Sequence, residues 1–344
     1  MMRCVRIIGI VIGVIVITSQ VPFTAAQQDE ADLPKNIALS PNGEMIAVAY
    51  GSGKVEIWDR ATQTLLHTLT AHTDTAFPIA WNEDSTSLLT GSADATIRQW
   101  DVATWANTMT IELSQYQDVL DTDWNGDHSQ IIAAVTTGGV ICFDATTGAE
   151  LSSASVGGYV LEMVWSPDEQ YIAFPTNGGF IQIADSQTLE HVTELGDQSL
   201  HGEQYSYARH MLWAVWSPDG SMVGGATRLG LAQVWRVSDN APILAPTEIT
   251  DLWLGIGIDM LPRAIVFSPD GQYFQAVSAD GTLAVWNLST GERVQSVSIS
   301  DEYIYAASFS TDGRQLIYTV GDGIAPLEVD LPAIPLSHTK PCCE

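Results

Sequence analysis

The feature that most constrains this chain is a short turn motif that recurs at a nearly constant spacing. The motif is typified by Ser217-Pro218-Asp219-Gly220, and an aromatic residue usually precedes it. Its copies begin at Ser40, Asn82, Asn125, Ser166, Ser217, Ser268 and Ser310. Successive copies are therefore 41 to 51 residues apart. A period in the forties, with room for four short strands, is typical of the blades of a β-propeller.

A second marker keeps the same period. The third strand-like run of each unit ends in Trp-Asp or a related pair. These pairs are Trp58-Asp59, Trp100-Asp101, Phe143-Asp144, Ala184-Asp185, Trp235-Arg236, Trp286-Asn287 and Val329-Asp330. Because the two markers lengthen and shorten their spacing together, we predict an all-β fold: a seven-bladed β-propeller with four-stranded antiparallel blades.

The repeats resemble those of the WD40-repeat family over the stretch from about Ile37 to Asp330, and the second unit matches best. There Ala71-His72 stands where the family has Gly-His, and Thr90, Asp94 and Trp100 follow at the matching positions. The resemblance implies that His72, Thr90, Asp94 and Trp100 form a hydrogen-bonded structural tetrad. It also implies a rigid scaffold that binds a protein or peptide without performing chemistry.

The first 26 residues have the pattern of an export signal. Arg3 and Arg6 precede an apolar stretch from Ile7 to Ile17, and Thr24-Ala25-Ala26 offers small residues for cleavage. We predict a signal peptide over residues 1–26, with an uncleaved N-terminal membrane anchor as the alternative. Either reading places the propeller in an extracytoplasmic compartment, secreted, periplasmic or at the cell surface.

The remaining chain divides into three parts. Residues 27–36 form a short acidic segment, residues 37–338 the propeller, and residues 339–344 a tail with Cys342 and Cys343. The tail is read as solvent-exposed, although the cysteine pair could cross-link chains or bind a soft metal. We expect residues 334–338 to complete the last sheet, because the acidic N-terminal segment is a poor strand.

The strongly acidic composition limits the partners. The formal net charge is −28, which repels phosphate backbones and so disfavours nucleic-acid binding. The acidity suits a soluble protein in salty or divalent-rich surroundings, or one with a basic partner. We expect the propeller to be monomeric. An effect of the habitat on composition would also explain the negative charge, without any specific partner.

Two long spacings flank the fifth unit and predict extended loops near residues 196–207 and 247–258. Repeat insertions often form a binding face, and the residues there belong to types enriched at interface hot spots. The candidate partner-binding residues are Tyr205, Tyr207, Arg209, His210, Trp213 and Trp253. Ordinary solvated loops are the alternative.

Three acidic residues fall on the first strands of adjacent units. Asp121 and Glu162 occupy the same position in their repeats, and Asp123 lies two residues after Asp121. First strands line the axial channel of a propeller, so the three carboxylates could hold a cation or have raised pKa values. Hydrogen bonding to neighbouring backbone is the alternative, and we assign no metal site.

The sequence has no Gly-x-Ser-x-Gly, His-Glu-x-x-His or phosphate-binding loop. We therefore predict no catalytic residue and no cofactor. The leading hypothesis is an exported, non-catalytic scaffold for protein or peptide partners. An enzyme or cofactor-binding propeller is the alternative, since residues 138–148 resemble a quinoprotein-type repeat and Ser-Pro-Asp-Gly motifs also occur in TolB-like proteins.

Overall fold

The computed structural model describes residues 32–70, 72–113, 118–156, 160–176, 178–196, 210–250, 262–310 and 315–320, together with the backbone of 327–330. The regular structure of this part of the chain consists of 27 β-strands. Within it, no helix has the length and apolar character needed to cross a membrane. The leader, the C-terminal tail and the segment 334–338 lie outside the described residues.

Six sheets are four-stranded antiparallel meanders, here called blades 1 to 6. Blades 1 and 2 contain β1 (Pro34–Leu39), β2 (Met45–Tyr50), β3 (Val55–Asp59), β4 (Thr64–Leu69), β5 (Ala76–Trp81), β6 (Ser87–Ser92), β7 (Thr96–Asp101) and β8 (Asn107–Glu112). Blades 3 and 4 contain β9 (Val119–Trp124), β10 (Gln130–Val135), β11 (Gly139–Asp144), β12 (Glu150–Ser155), β13 (Val164–Trp165), β14 (Tyr171–Pro175), β15 (Ile181–Asp185) and β16 (His191–Leu195). Blades 5 and 6 contain β17 (Met211–Trp216), β18 (Met222–Thr227), β19 (Leu231–Arg236), β20 (Pro242–Glu248), β21 (Pro262–Phe267), β22 (Tyr273–Ser278), β23 (Thr282–Asn287) and β24 (Glu292–Ser298).

The prediction of seven four-stranded blades is wrong: the structure has six. Among the described residues, the last repeat unit forms a sheet of three strands, β25 (Ile304–Phe309), β26 (Gln315–Val320) and β27 (Leu327–Asp330). The sequence after Asp330 carries Pro332 and Pro335, which have no backbone N–H to donate to a neighbouring strand. The two sequence markers that set the period lie in the turn after the first strand and at the end of the third strand, so they carry no information on whether a unit has a fourth strand.

The recurring turn motif joins the first and second strands of a unit, and its side chains hold the turn closed. In blade 5 the Ser217 hydroxyl donates to Asp219 Oδ1 at 2.7 Å and accepts from the Met222 N–H at 2.9 Å. Gly220 has a φ of +70°, which glycine adopts without steric cost. The motif therefore fixes the register of the hairpin that follows.

The core consists of apolar clusters between neighbouring sheets. Between blades 5 and 6, for example, Phe274 and Trp286 are fully buried against Ala226 and Val234. The three-stranded sheet packs on blade 6 and also on blade 1, where Ile317 contacts the cluster around Tyr50. The sheets thus close into a ring, and each one covers the apolar faces of two neighbours.

Candidate functional site

The meander topology assigns every connection to one of two faces. Turns between first and second strands and between third and fourth strands lie on one face, which we call the turn face. Turns between second and third strands, and the connections from one sheet to the next, lie on the other face, which we call the connection face. The first strands of neighbouring sheets contact one another around the axis.

The tetrad of blade 2 is a continuous chain of hydrogen bonds. The Trp100 indole N–H donates to Thr90 Oγ1 at 3.0 Å, and the Thr90 hydroxyl lies 2.8 Å from His72 Nε2. His72 Nδ1 lies 3.1 Å from Asp94 Oδ2. With a neutral imidazole protonated on Nδ1, every donor in the chain meets an acceptor.

The electrostatics of the tetrad favour that neutral imidazole. Burial lowers the pKa of His72 and outweighs the nearby Asp94 carboxylate. Burial acts to raise the pKa of Asp94, but hydrogen bonds from Thr96 and Thr73, with His72 beside it, lower that pKa overall. Thr90 is fully buried and Trp100 is 7% exposed. The tetrad therefore has no access to a substrate and ties strands and turn together.

Blade 6 lacks the threonine hydroxyl that accepts the tryptophan N–H in the tetrad of blade 2. Trp286 occupies the position of Trp100, but the residue matching Thr90 is Ala276. The Trp286 indole N–H is buried and has no hydrogen-bond partner among the described residues.

Two of the three acidic residues near the axis form links between blades. Asp121 Oδ2 accepts the Met163 N–H of blade 4 at 2.6 Å, and Glu162 Oε2 accepts the Ala214 N–H of blade 5 at 2.7 Å. Asp123 Oδ1 accepts the N–H of Trp124, its neighbour in the chain, at 2.8 Å. These bonds match the backbone alternative stated above.

Burial raises the pKa of all three carboxyls. The pKa of Asp121 rises to about 8, with the nearby Asp123 carboxylate as a second cause. The pKa of Asp123 rises to about 7. Burial and the neighbouring Asp121 raise the pKa of Glu162 well above its ordinary value. Among the described residues, no group of three or more histidine, cysteine or acidic side chains is arranged to hold a metal ion.

Two further links continue around the axis at the same level. The Trp213 indole N–H donates to the Pro262 carbonyl of blade 6 at 2.8 Å. Arg263 Nε donates to the Ile304 carbonyl of the three-stranded sheet at 2.9 Å. Trp213, one of the candidate partner-binding residues, is half-buried, and its indole joins two blades.

His210, another candidate partner-binding residue, lies at the connection face of blade 5. His210 is half-buried, and its carbonyl accepts the Arg228 N–H at 2.8 Å. Burial lowers the pKa of His210, and the nearby Arg228 charge lowers it further. Tyr205, Tyr207, Arg209 and Trp253 lie outside the described residues.

Sequence reasoning missed an exposed apolar residue, Leu229, close to His210. Leu229 is 56% exposed, the highest value among the large apolar side chains of the described residues. It lies in the turn between β18 and β19, where blade 2 has Asp94. Aligning the repeats by these turns would have revealed a leucine at a polar position.

Comparison with known proteins identifies the repeats. A family model described as the WD40 domain of anaphase-promoting complex subunit 4 matches residues 14–84. The model for the WD domain, G-beta repeat, matches residues 262–287.

Similar proteins cover most of the chain at low identity. THO complex subunit 3 of Arabidopsis thaliana is 24% identical over 69% of this chain and 74% of its own length. WD repeat-containing protein slp1 of Schizosaccharomyces pombe is 24% identical over 65% of this chain and 54% of its own. WD repeat-containing protein AAC3 of Dictyostelium discoideum is 21% identical over 68% and 51%. This chain therefore spans about half the length of the second and third of these relatives.

Proposed function

We propose, from the premise that this chain belongs to the WD40-repeat β-propeller family, that it is a non-catalytic scaffold for protein or peptide partners. One of its relatives is named as a subunit of the THO complex, so at least one protein with similar repeats works within an assembly. We extend a binding role of that kind to this chain.

The connection face of blade 5 is the binding surface in this proposal. The observation that carries it is Leu229, an exposed apolar side chain next to Arg228 and close in the fold to His210. Apolar and arginine side chains at one surface are typical of interface centres. The two longest connections between strands come directly before and directly after blade 5. The first joins β16, which ends at Leu195, to β17, which begins at Met211. The second joins β20, which ends at Glu248, to β21, which begins at Pro262.

Proximity labelling in the native host tests the surface. Leu229→Asp, and separately the triple change of Tyr207, Arg209 and Trp253 to alanine, are expected to remove partner labelling while the fold survives. Val192→Asp is the matched control, because Val192 is 50% exposed but lies on the outer strand of blade 4. Labelling that is unchanged in both variants would contradict the proposal. A chromophore in the purified protein would instead support the cofactor-binding alternative.

We also propose that the protein acts outside the cytoplasm, which rests on the sequence of residues 1–26 alone. N-terminal sequencing of the protein recovered from cell fractions tests this. A mature chain that begins near Gln27 in an extracytoplasmic fraction is expected, and a membrane-bound chain retaining its leader would indicate the anchored form. Full-length protein in the cytoplasm would refute export.

A further inference from the structure

Blade 6 carries the only Asn-x-Ser/Thr motif of the sequence, Asn287-Leu288-Ser289. The motif starts at the last residue of β23 and runs into the turn before β24. An asparagine in this pattern, with any residue except proline in the middle, is an acceptor for N-linked glycans in exported proteins. The match is short, so the argument depends on how the turn holds the asparagine.

The turn uses only the oxygen of the Asn287 side-chain amide. Oδ1 accepts the Ser289 N–H at 2.9 Å, the Ser289 hydroxyl at 2.7 Å and the Thr290 N–H at 3.2 Å. Among the described residues, Nδ2 has no hydrogen-bond partner, and it is not one of the buried polar atoms that lack one. The amide nitrogen, which is the atom that takes a glycan, is therefore open to solvent.

The same turn in four other blades shows that the fold does not need this nitrogen. The residues at the matching position of blades 1 to 4 are Asp59, Asp101, Asp144 and Asp185. Each uses a carboxylate oxygen to accept the N–H of a threonine three residues later, as Asp144 Oδ1 does with Thr147 at 2.7 Å. An oxygen at this position is thus enough to hold the turn, and asparagine in blade 6 adds only the amide nitrogen.

The surroundings of the turn leave room for a large substituent. Ser289, Thr290 and Gly291 are exposed, and a Cβ on Gly291 would meet no atom within 4 Å. Leu288, by contrast, is buried in the cluster that contains Trp286. The turn is therefore anchored from the inside through Leu288, while its polar residues stay at the surface.

The position of the turn keeps a glycan away from the surface proposed for partner binding. The turn lies at the outer edge of the turn face, because it leads into β24, the outermost strand of blade 6. The proposed binding surface is on the connection face of blade 5. A glycan on Asn287 therefore leaves from the opposite face and does not cover that surface.

We propose that Asn287 carries an N-linked glycan. In the reaction, Nδ2 forms a bond to the anomeric carbon of a sugar that is activated as a lipid-linked diphosphate. The bond between that carbon and the phosphate oxygen breaks, the lipid diphosphate leaves with the electron pair, and Nδ2 loses one proton. Glycan transfer of this kind belongs to the export route, so this inference rests on the proposed export.

Peptide mass spectrometry of the protein from an extracytoplasmic fraction of the native host tests the site. Trypsin releases the peptide from Ala264 to Arg293, in which Asn287 is the only asparagine. In the wild type this peptide is expected to carry the mass of a glycan. The glycan should be lost completely in Asn287→Asp, which keeps the oxygen that holds the turn, and in Ser289→Ala, which breaks the motif. Ser289→Thr is the matched control, because it preserves the motif and should keep the glycan.

Three outcomes would overturn the proposal, and only the last also refutes export. An extracytoplasmic chain with an unmodified Asn287 would show that the protein is exported but not glycosylated at this site. A glycan mass that persists in both Asn287→Asp and Ser289→Ala would place the sugar on a serine or threonine of the same peptide instead. Full-length, unmodified protein in the cytoplasm would refute the export and this inference together.

Discussion

Thr90 is the residue on which the tetrad of blade 2 depends, because its hydroxyl serves two partners at once. It accepts from the Trp100 indole and lies within hydrogen-bond distance of His72 Nε2. Replacing one such group leaves two buried polar atoms without partners, and each costs about 1–3 kcal/mol.

We therefore predict that Thr90→Val lowers the free energy of unfolding by about 2–4 kcal/mol, although valine has nearly the same shape. Chemical denaturation monitored by tryptophan fluorescence measures this. Thr108→Val is the control, since Thr108 is exposed and its hydroxyl donates to the Gln99 carbonyl at 3.2 Å. Equal losses of unfolding free energy in the two variants would show that the tetrad hydrogen bonds stabilise the fold no more than the exposed Thr108 hydroxyl does.

The reverse change is available in blade 6. Ala276→Ser places a hydroxyl at the position of Thr90, within reach of the buried Trp286 indole. We predict a gain of about 0.5–1.5 kcal/mol in the free energy of unfolding from the new hydrogen bond. Ala284→Ser, at the residue paired with Ala276 on the next strand, should give no such gain. A loss at Ala276→Ser would mean that the hydroxyl does not reach the indole.

At the scale of the strand, close packing between blades explains a glycine inside β18. A Cβ on Gly224 would lie 2.3 Å from the Phe274 ring of blade 6, which is fully buried. We predict that Gly224→Ala costs about 1–3 kcal/mol by overpacking, measured as the change in denaturation midpoint. Gly126→Ala is the control, because its contact is the carboxylate end of Glu169, which can rotate away.

The buried carboxyls of Asp121 and Asp123 on β9, and of Glu162 just before β13, make the stability depend on pH. Folded carboxyls with raised pKa values bind protons more strongly than unfolded ones, so the contribution of these three groups to stability is largest below the unfolded pKa of about 4. It then falls as pH rises, until the folded pKa of about 8 for Asp121 is passed.

We predict that Asp121→Asn flattens this decline between pH 4 and pH 8. The asparagine carbonyl can still accept the Met163 N–H, while the proton-linked charge is gone. The variant should exceed the wild type by more than about 1 kcal/mol at pH 8 and match it near pH 4. Thermal melts across this range measure the effect. A wild type whose stability rises steadily from pH 4 to pH 8 would contradict the prediction.

The strand pattern shows which features the sequence could predict. Turn motifs and strand ends are local, so the repeat period follows from their spacing, and the resemblance to the WD40 family then implies the tetrad partners of His72. The three described strands of the last sheet and the half-buried Trp213 depend on contacts between units. Such contacts become visible only when residues from two blades are placed side by side.

At the scale of the whole molecule, the net charge of −28 opposes compaction through self-repulsion. Salt screens that repulsion, with a Debye length near 10 Å at about 0.1 M. We predict that the melting temperature rises between 0.01 and about 0.5 M sodium chloride. Differential scanning calorimetry measures it, with sucrose as an uncharged control. A melting temperature that falls as salt is added would show that attractive ion pairs, such as Lys54 with Asp32 and Glu56, dominate instead.

The bonds between neighbouring first strands have one further consequence. Asp121 and Glu162 each accept a backbone N–H of the next blade, and Trp213 and Arg263 each donate to a backbone carbonyl of the next sheet. Because every partner is a main-chain atom, the side chain of the partner residue can change without removing the bond. Sequence divergence around the centre of the ring is therefore compatible with unbroken contacts between sheets.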